Sequence, residues 1–134
     1  MKKKMVYLLD QKDEKAIAIL EKFGIAKTTA RALMYVTQVD ECRSVDIEQG
    51  ADLREPEVCR AMKDLLRRGW VKKSQQKNHR KGRPQYIYKA LYRFHDLVES
   101  FEREKIQEIK NEQRVLSALK RYVDTNTVPS IQRS

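Results

Sequence analysis

From Tyr92 to Val128 the chain contains neither glycine nor proline, and apolar residues recur through the stretch at spacings of three and four. Phe94, Leu97, Val98, Phe101, Ile106, Ile109, Leu116, Leu119 and Val123 mark the pattern, with charges between them. A helix of about 30 residues would be about 45 Å long, more than a domain of this size can cover by itself. Its apolar stripe therefore wants a partner. With 134 residues in all, what precedes it has room for one small domain. An apolar content of 40% supports a small core, and 36% charged residues suits a chain that is partly extended and solvent-facing.

Ahead of the long helix the punctuation predicts shorter elements. Ala16, Ile17, Leu20 and Phe23 lie at helical spacing over residues 13–23, and Gly24 follows as a stop. A second helix opens near Thr28 as N-cap and carries Ala30, Leu33, Met34 and Thr37 on one side. Ser44 reads as the N-cap of a short third helix holding Val45, Ile47 and Glu48. Pro56 then opens a fourth, with Glu55 as its cap, since a first-turn proline sacrifices no intrahelical bond. Val58, Ala61, Met62 and Leu65 form its i, i+3, i+4, i+7 stripe, and Gly69 closes it. Past Gly69 the period changes. Residues 70–74 and 85–90 are short and rich in β-formers, flanking a polar loop with Gly82 and Pro84.

The charge is uneven in the same region. Between Asp64 and Asp96 there is no acidic residue, while Arg67, Arg68, Lys72, Lys73, Lys77, Arg80, Lys81, Arg83, Lys89 and Arg93 supply ten positive charges, equal to the whole net charge of +10. The other 19 Lys and Arg cancel the 19 Asp and Glu. Such a block is the electrostatic footprint of a surface that meets a polyanion. If the fourth helix buries its apolar stripe, then Arg54, Glu57, Arg60, Lys63 and Arg67 point outward.

Short helix, tight turn, helix, glycine and two strands with a basic loop is the order of a winged helix-turn-helix domain. The run from Ile47 to Val71, with Asp52, Leu53, Val58, Arg60, Ala61, Lys63, Leu65, Arg68, Gly69 and Val71 at their spacings, resembles prokaryotic transcriptional regulators of the MarR and TrmB type, small archaeal members in particular. The resemblance covers about residues 20–91. It implies a mainly α fold with a small β-hairpin: a winged helix-turn-helix DNA-binding domain over 1–91 with its wing at about 75–83, a dimerisation helix over 92–124, and a polar tail over 125–134 expected to fray. It also implies that residues 55–68 enter the major groove. Arginine there bridges guanine O6 and N7, a pairing worth about 1–3 kcal/mol of discrimination; Arg54 and Arg60 are the candidate base readers, with Lys63 and Arg67 on phosphates. Glu57 has two readings, acceptor for cytosine N4 or residue suited to a helix start. On the wing, Arg80 and Arg83 are the candidate minor-groove probes, with Lys77 and Lys81 on phosphates. Where many relatives carry glycine in the turn, Asp52 stands here, and aspartate tolerates left-handed geometry better than most residues. The long helix resembles the dimerisation helices of these regulators, with Phe94, Leu97, Phe101, Ile106, Ile109 and Leu116 as the seam; Gln113 and Lys120 interrupt a strict heptad, so antiparallel, crossed and coiled-coil pairings all stay open.

The expected function is thus a homodimeric, sequence-specific regulator bound to double-stranded DNA, in the cytoplasm with the nucleoid. The alternative is a winged-helix module docking on transcription or replication machinery, since fold does not fix function. An enzyme is not expected. A nuclease would have to use Asp40, Glu41, Asp46 and Glu48, which have no adjacent base and no phosphate-cradling glycine loop. Cys42 and Cys59 form no Cys-x-x-Cys pair and, with His79 and His95, offer no zinc-ligand spacing, so no metal or other cofactor is expected. No apolar run approaches the roughly 18 residues that cross a bilayer, and no membrane partner is expected. No small-molecule effector is legible.

Overall fold

The computed structural model describes residues 8–76 and 85–125. The elements run α1 (Gln11–Lys22), α2 (Lys27–Val36), α3 (Ser44–Ala51), α4 (Glu55–Arg68), β1 (Val71–Gln76), β2 (Gln85–Ala90) and α5 (Phe94–Thr125). The fold is mainly helical, with one two-stranded antiparallel sheet and a long C-terminal helix. The chain divides into two compact units, Met1–Phe94 and His95–Ser134.

In the first unit α2 is the centre, packed by α1, α3 and α4 and touched by β2. Its expected stripe of Ala30, Leu33, Met34 and Thr37 is buried, and so are Ala32, Tyr35 and Val36. A helix with neighbours on most sides has little polar face to show. Burial raises the Tyr35 phenol to about 12, with the nearby Cys42 and Asp46 adding to the shift. Around this rod Ile17 and Leu20 of α1, Ile47 of α3 and Val58, Ala61, Met62 and Leu65 of α4 complete the core. Each large aliphatic chain buried this way contributes about 1.5–3 kcal/mol.

Polar ties fix the helices relative to one another. The Arg31 guanidinium of α2 donates to the Ala51 carbonyl at the end of α3 (2.7 Å) and to both carboxylate oxygens of Glu14 on α1 (2.7 and 2.9 Å). Thr29 Oγ1 donates to Asp64 of α4 at 3.1 Å. Gln38, just past α2, donates to Asp13 in the first turn of α1 at 3.0 Å. Asp13 is itself half of a reciprocal cap: its N–H donates to Asp10 Oδ1 and its Oδ2 accepts from the Asp10 N–H, both at 2.9 Å. The backbone hydrogen bond from Asp13 is the chief reason the Asp10 carboxyl lies below its ordinary range.

Helix starts depart from the sequence expectation. The N-caps are Ala26 before α2, Arg43 before α3 and Arg54 before α4, in place of Thr28, Ser44 and Glu55. For α3 and α4 the work is done from inside the helix. Asp46 accepts from the Arg43 N–H and Glu57 from the Arg54 N–H, both at 2.9 Å, so a third-position carboxylate satisfies the capping residue's amide. Helix ends follow expectation more closely. Asp52 adopts the left-handed conformation at φ 57° and terminates α3, after which the Leu53 N–H returns to the Glu48 carbonyl at 3.0 Å. Gly69 closes α4 at φ 81°, with its own N–H on Leu66 and the Trp70 N–H on Leu65. That pair of bonds is a Schellman ending, for which glycine lacks the Cβ penalty.

The hairpin pairs Val71 with Ala90 and runs in register to Gln76 with Gln85. Val71, Tyr88 and Ala90 are buried and anchor its base. A further bridge holds it: Cys42, in the segment before α3, exchanges both backbone hydrogen bonds with Tyr88 (3.0 and 2.7 Å).

In the second unit α5 runs to Thr125, and every residue from Glu102 to Thr125 is exposed.

Candidate nucleic-acid interface

Alternation of apolar and charged residues along α4 sets its outer face. With Val58, Ala61, Met62 and Leu65 buried, the opposite side carries Arg60, Lys63 and Arg67, all exposed, at spacings of three and four. Arg54 is also exposed but sits at the N-cap, in extended backbone, at the helix's leading end. Among the described residues no carboxylate pairs with Arg60 or Lys63.

Two of the three acids of α4 are engaged elsewhere, while Glu55 is exposed. Glu57 is half-buried and holds the Arg54 amide. Asp64 accepts from Thr29 (3.1 Å), from Arg68 Nε (3.1 Å) and from Arg67. Burial pushes the Asp64 carboxyl up, but the hydrogen bonds from Arg68 and Thr29 and the charges of both arginines outweigh it and hold it below the usual carboxylate range. Arg68 lies 5.1 Å from the Trp70 ring centre, a cation–π contact that keeps it against the protein. The outward cations are therefore Arg60, Lys63 and a partly neutralised Arg67.

The hairpin adds cations that were counted in the basic block but not assigned to the site. Lys73 stands 4.1 Å from the Tyr86 ring centre and, with Ser44, Glu55, Cys59, Lys63 and Tyr88, lines a groove of about 190 Å³ between α3, α4 and the sheet. Lys63 and Lys73 thus face one concavity from two elements. On the other face of the sheet Lys72 and Lys89 are directly cross-strand. Like charges in that relation are destabilising unless an anion intervenes. Strand register decides which lysines meet, and the residue pattern alone does not fix it. Tyr86 is exposed and Tyr88 buried, although both point to one face.

The wing residues Lys77, Arg80, Lys81 and Arg83, with His79, lie outside the described residues. Of the expected seam, Phe94 and Phe101 are half-buried and Leu97 is buried, while Ile106, Ile109 and Leu116 are 45%, 46% and 51% exposed. Asp46, one of the carboxylates weighed for chemistry, caps α3. Cys42 is buried, and Cys59 is an exposed free thiol. Among the described residues no group of three or more His, Cys, Asp or Glu is placed to hold a metal ion, and no helix is long and apolar enough to cross a membrane.

No protein-family model matches the chain, and no curated protein does. Solved structures are similar to it. One, of a possible transcriptional regulator from Methanosarcina mazei Go1, is 18% identical and aligns over 81% of this chain and 87% of that one, with a TM-score of 0.60. Another, a crystal structure of a transcriptional regulator, is 17% identical over 87% of this chain and 92% of that one, with a TM-score of 0.49. At the first of these scores and this identity the likeness is one of fold.

Proposed function

We propose that the chain is a sequence-specific, double-stranded-DNA-binding transcriptional regulator of the winged helix-turn-helix, MarR and TrmB type, acting as a homodimer. The observation that carries this reading is α4: it buries one apolar stripe against α2 and α3 and turns Arg60, Lys63 and Arg67 to solvent. A helix so presented fits a major groove, and its cations match phosphate and guanine edges. Arg54 and Arg60 read bases, Lys63 and Arg67 hold phosphates, and Lys73 and the Lys72–Lys89 pair extend the positive surface along the hairpin. The loop carrying Lys77, Arg80, Lys81 and Arg83 meets the minor groove and backbone. Residues 1–91 bind DNA, 92–124 join two copies, and the protein works in the cytoplasm. A fold-level likeness to the structure of a possible transcriptional regulator supports the assignment without fixing it.

A gel-shift salt series tests the reading. Several phosphate contacts per copy give an affinity that falls steeply as salt rises, and a flat response removes its electrostatic basis. Within that assay Arg60→Ala relaxes preference at one base position, at a cost of about 1–3 kcal/mol on the preferred site. Alanine at both Arg80 and Arg83 instead weakens most sequences alike; equal, sequence-blind losses from the two changes would contradict the assigned roles.

A further inference from the structure

The hairpin presents cations on both of its faces, and only one face looks toward α4. Strand register sorts them. Val71, Lys73, Tyr86, Tyr88 and Ala90 share the face packed on the helices, where Val71, Tyr88 and Ala90 are buried. On that face the Lys73 ammonium lies 4.1 Å from the Tyr86 ring centre, and Lys73 lines the α4 groove together with Lys63 and Cys59. The opposite face carries Lys72 and Lys89 as direct cross-strand partners, both exposed. Trp70 and Leu91 continue the register at its base, the Leu91 N–H donating to the Trp70 carbonyl at 2.9 Å. Among the described residues neither Lys72 nor Lys89 has an acidic partner. Like charges set directly opposite cost stability, and no carboxylate offsets the cost.

Duplex geometry gives each face a different strand. With α4 in the major groove and the hairpin loop in the neighbouring minor groove, one sugar-phosphate strand separates the two elements. That strand has to cross the groove that Lys63 and Lys73 line. The far wall of the minor groove is the other strand, and it lies on the side of the hairpin turned away from α4, where Lys72 and Lys89 stand. A phosphate set between those two ammonium groups removes their repulsion and makes charge-assisted bonds to both.

We infer that the hairpin straddles the minor groove, with Lys63 and Lys73 holding the strand that runs between α4 and the sheet, and Lys72 and Lys89 holding the opposite strand. Cys59 then lies beneath the first strand. This rests on the DNA binding proposed above and specifies which strand each lysine holds.

A duplex selected from a random pool is the probe, prepared in copies that each carry one neutral methylphosphonate linkage. The full-length protein is compared on it with its Lys73→Gln and Lys72→Gln variants. Each change lowers the salt slope by about one. Neutralising a linkage that a lysine holds weakens the unaltered protein but has no further effect on the variant lacking that lysine. The expected result is that linkages coupled to Lys73 and linkages coupled to Lys72 lie on opposite strands. Coupling of both lysines to one strand overturns the straddle and leaves duplex binding standing. So does a Lys72→Gln variant with unchanged affinity and salt slope, which assigns that face to an acidic protein instead. Failure of the unaltered protein to bind any duplex overturns the DNA-binding reading itself.

Two further measurements need no selected sequence. Lys72→Gln removes the cross-strand repulsion, so it raises the urea midpoint of the free protein while weakening its hold on a random duplex at low salt; a fall in both marks a structural role and overturns the assignment. Cys59, an exposed free thiol, reacts with iodoacetamide in the free protein and is shielded once that duplex is bound. Unchanged reactivity in the complex places the first strand elsewhere.

Discussion

Two amphipathic helices in one chain meet opposite fates. α4 is short, begins at a carboxylate-held cap, ends at a left-handed glycine, and hides its apolar stripe against α2 and α3. More than twice as long, α5 leaves Ile106, Ile109, Leu116 and Leu119 in solvent. Periodicity is common to both, so periodicity by itself does not distinguish a helix whose stripe is buried within its own unit from one whose stripe stays exposed. Length does: α5 runs past anything a domain of this size can cover. In α4 the face left over is charged and available to a ligand, whereas in α5 the face left over is apolar.

The same substitution in each helix gives the sharpest contrast. Leu65→Ala removes a fully buried side chain from α4 and lowers the unfolding free energy of the first unit by about 2–5 kcal/mol in a urea titration. Leu116→Ala, on exposed α5, changes that transition by no more than about 0.5 kcal/mol and instead shifts the concentration dependence of self-association. Equal losses from the two would erase the distinction. Smaller is the effect of Glu57→Ala, which frees the Arg54 amide and costs about 0.5–2 kcal/mol, as lost caps do. Selection from randomised duplexes accompanies that melt, and an altered preference at one position without loss of stability would make Glu57 a base reader after all. The pH dependence of Asp64→Asn sharpens the picture further. In the folded chain the Asp64 carboxyl titrates below its ordinary 3.8, so its contribution is complete above that value and disappears as pH falls through the lower folded value. The unaltered protein therefore loses urea resistance below about pH 4 more steeply than the Asn variant, and identical acid limbs would show that Asp64 does not couple α2 to α4.

Some of this was legible in the residues because it depended on local chemistry. Gly69 marked the end of α4, residues 85–90 marked β2, and Asp52 accepted a left-handed turn that most side chains resist. The buried stripe of α4 followed from spacing alone. The caps of α3 and α4 are not oxygen-bearing residues ahead of the helix: Asp46 and Glu57 act from the third position and leave arginine at the cap, so the legible signal was the acid three residues on. The Cys42–Tyr88 bridge was missed because a single pairing needs no alternating strand around it. Lys73 and the Lys72–Lys89 pair escaped for a different reason: a one-residue slip of register moves every strand side chain to the other face, and the residue pattern of the two strands did not fix the register.

Arg31 has a consequence for how this fold is able to vary over generations. One guanidinium serves a carboxylate on α1 and the last carbonyl of α3 from its seat on α2, and only a planar fork addresses both at once. Lysine keeps the sign and forfeits the geometry. Drift at Glu14 is tolerable, since Ala51 still offers its backbone oxygen whatever side chain it bears, so ancestry is expected to leave Arg31 standing while its partners are exchanged around it.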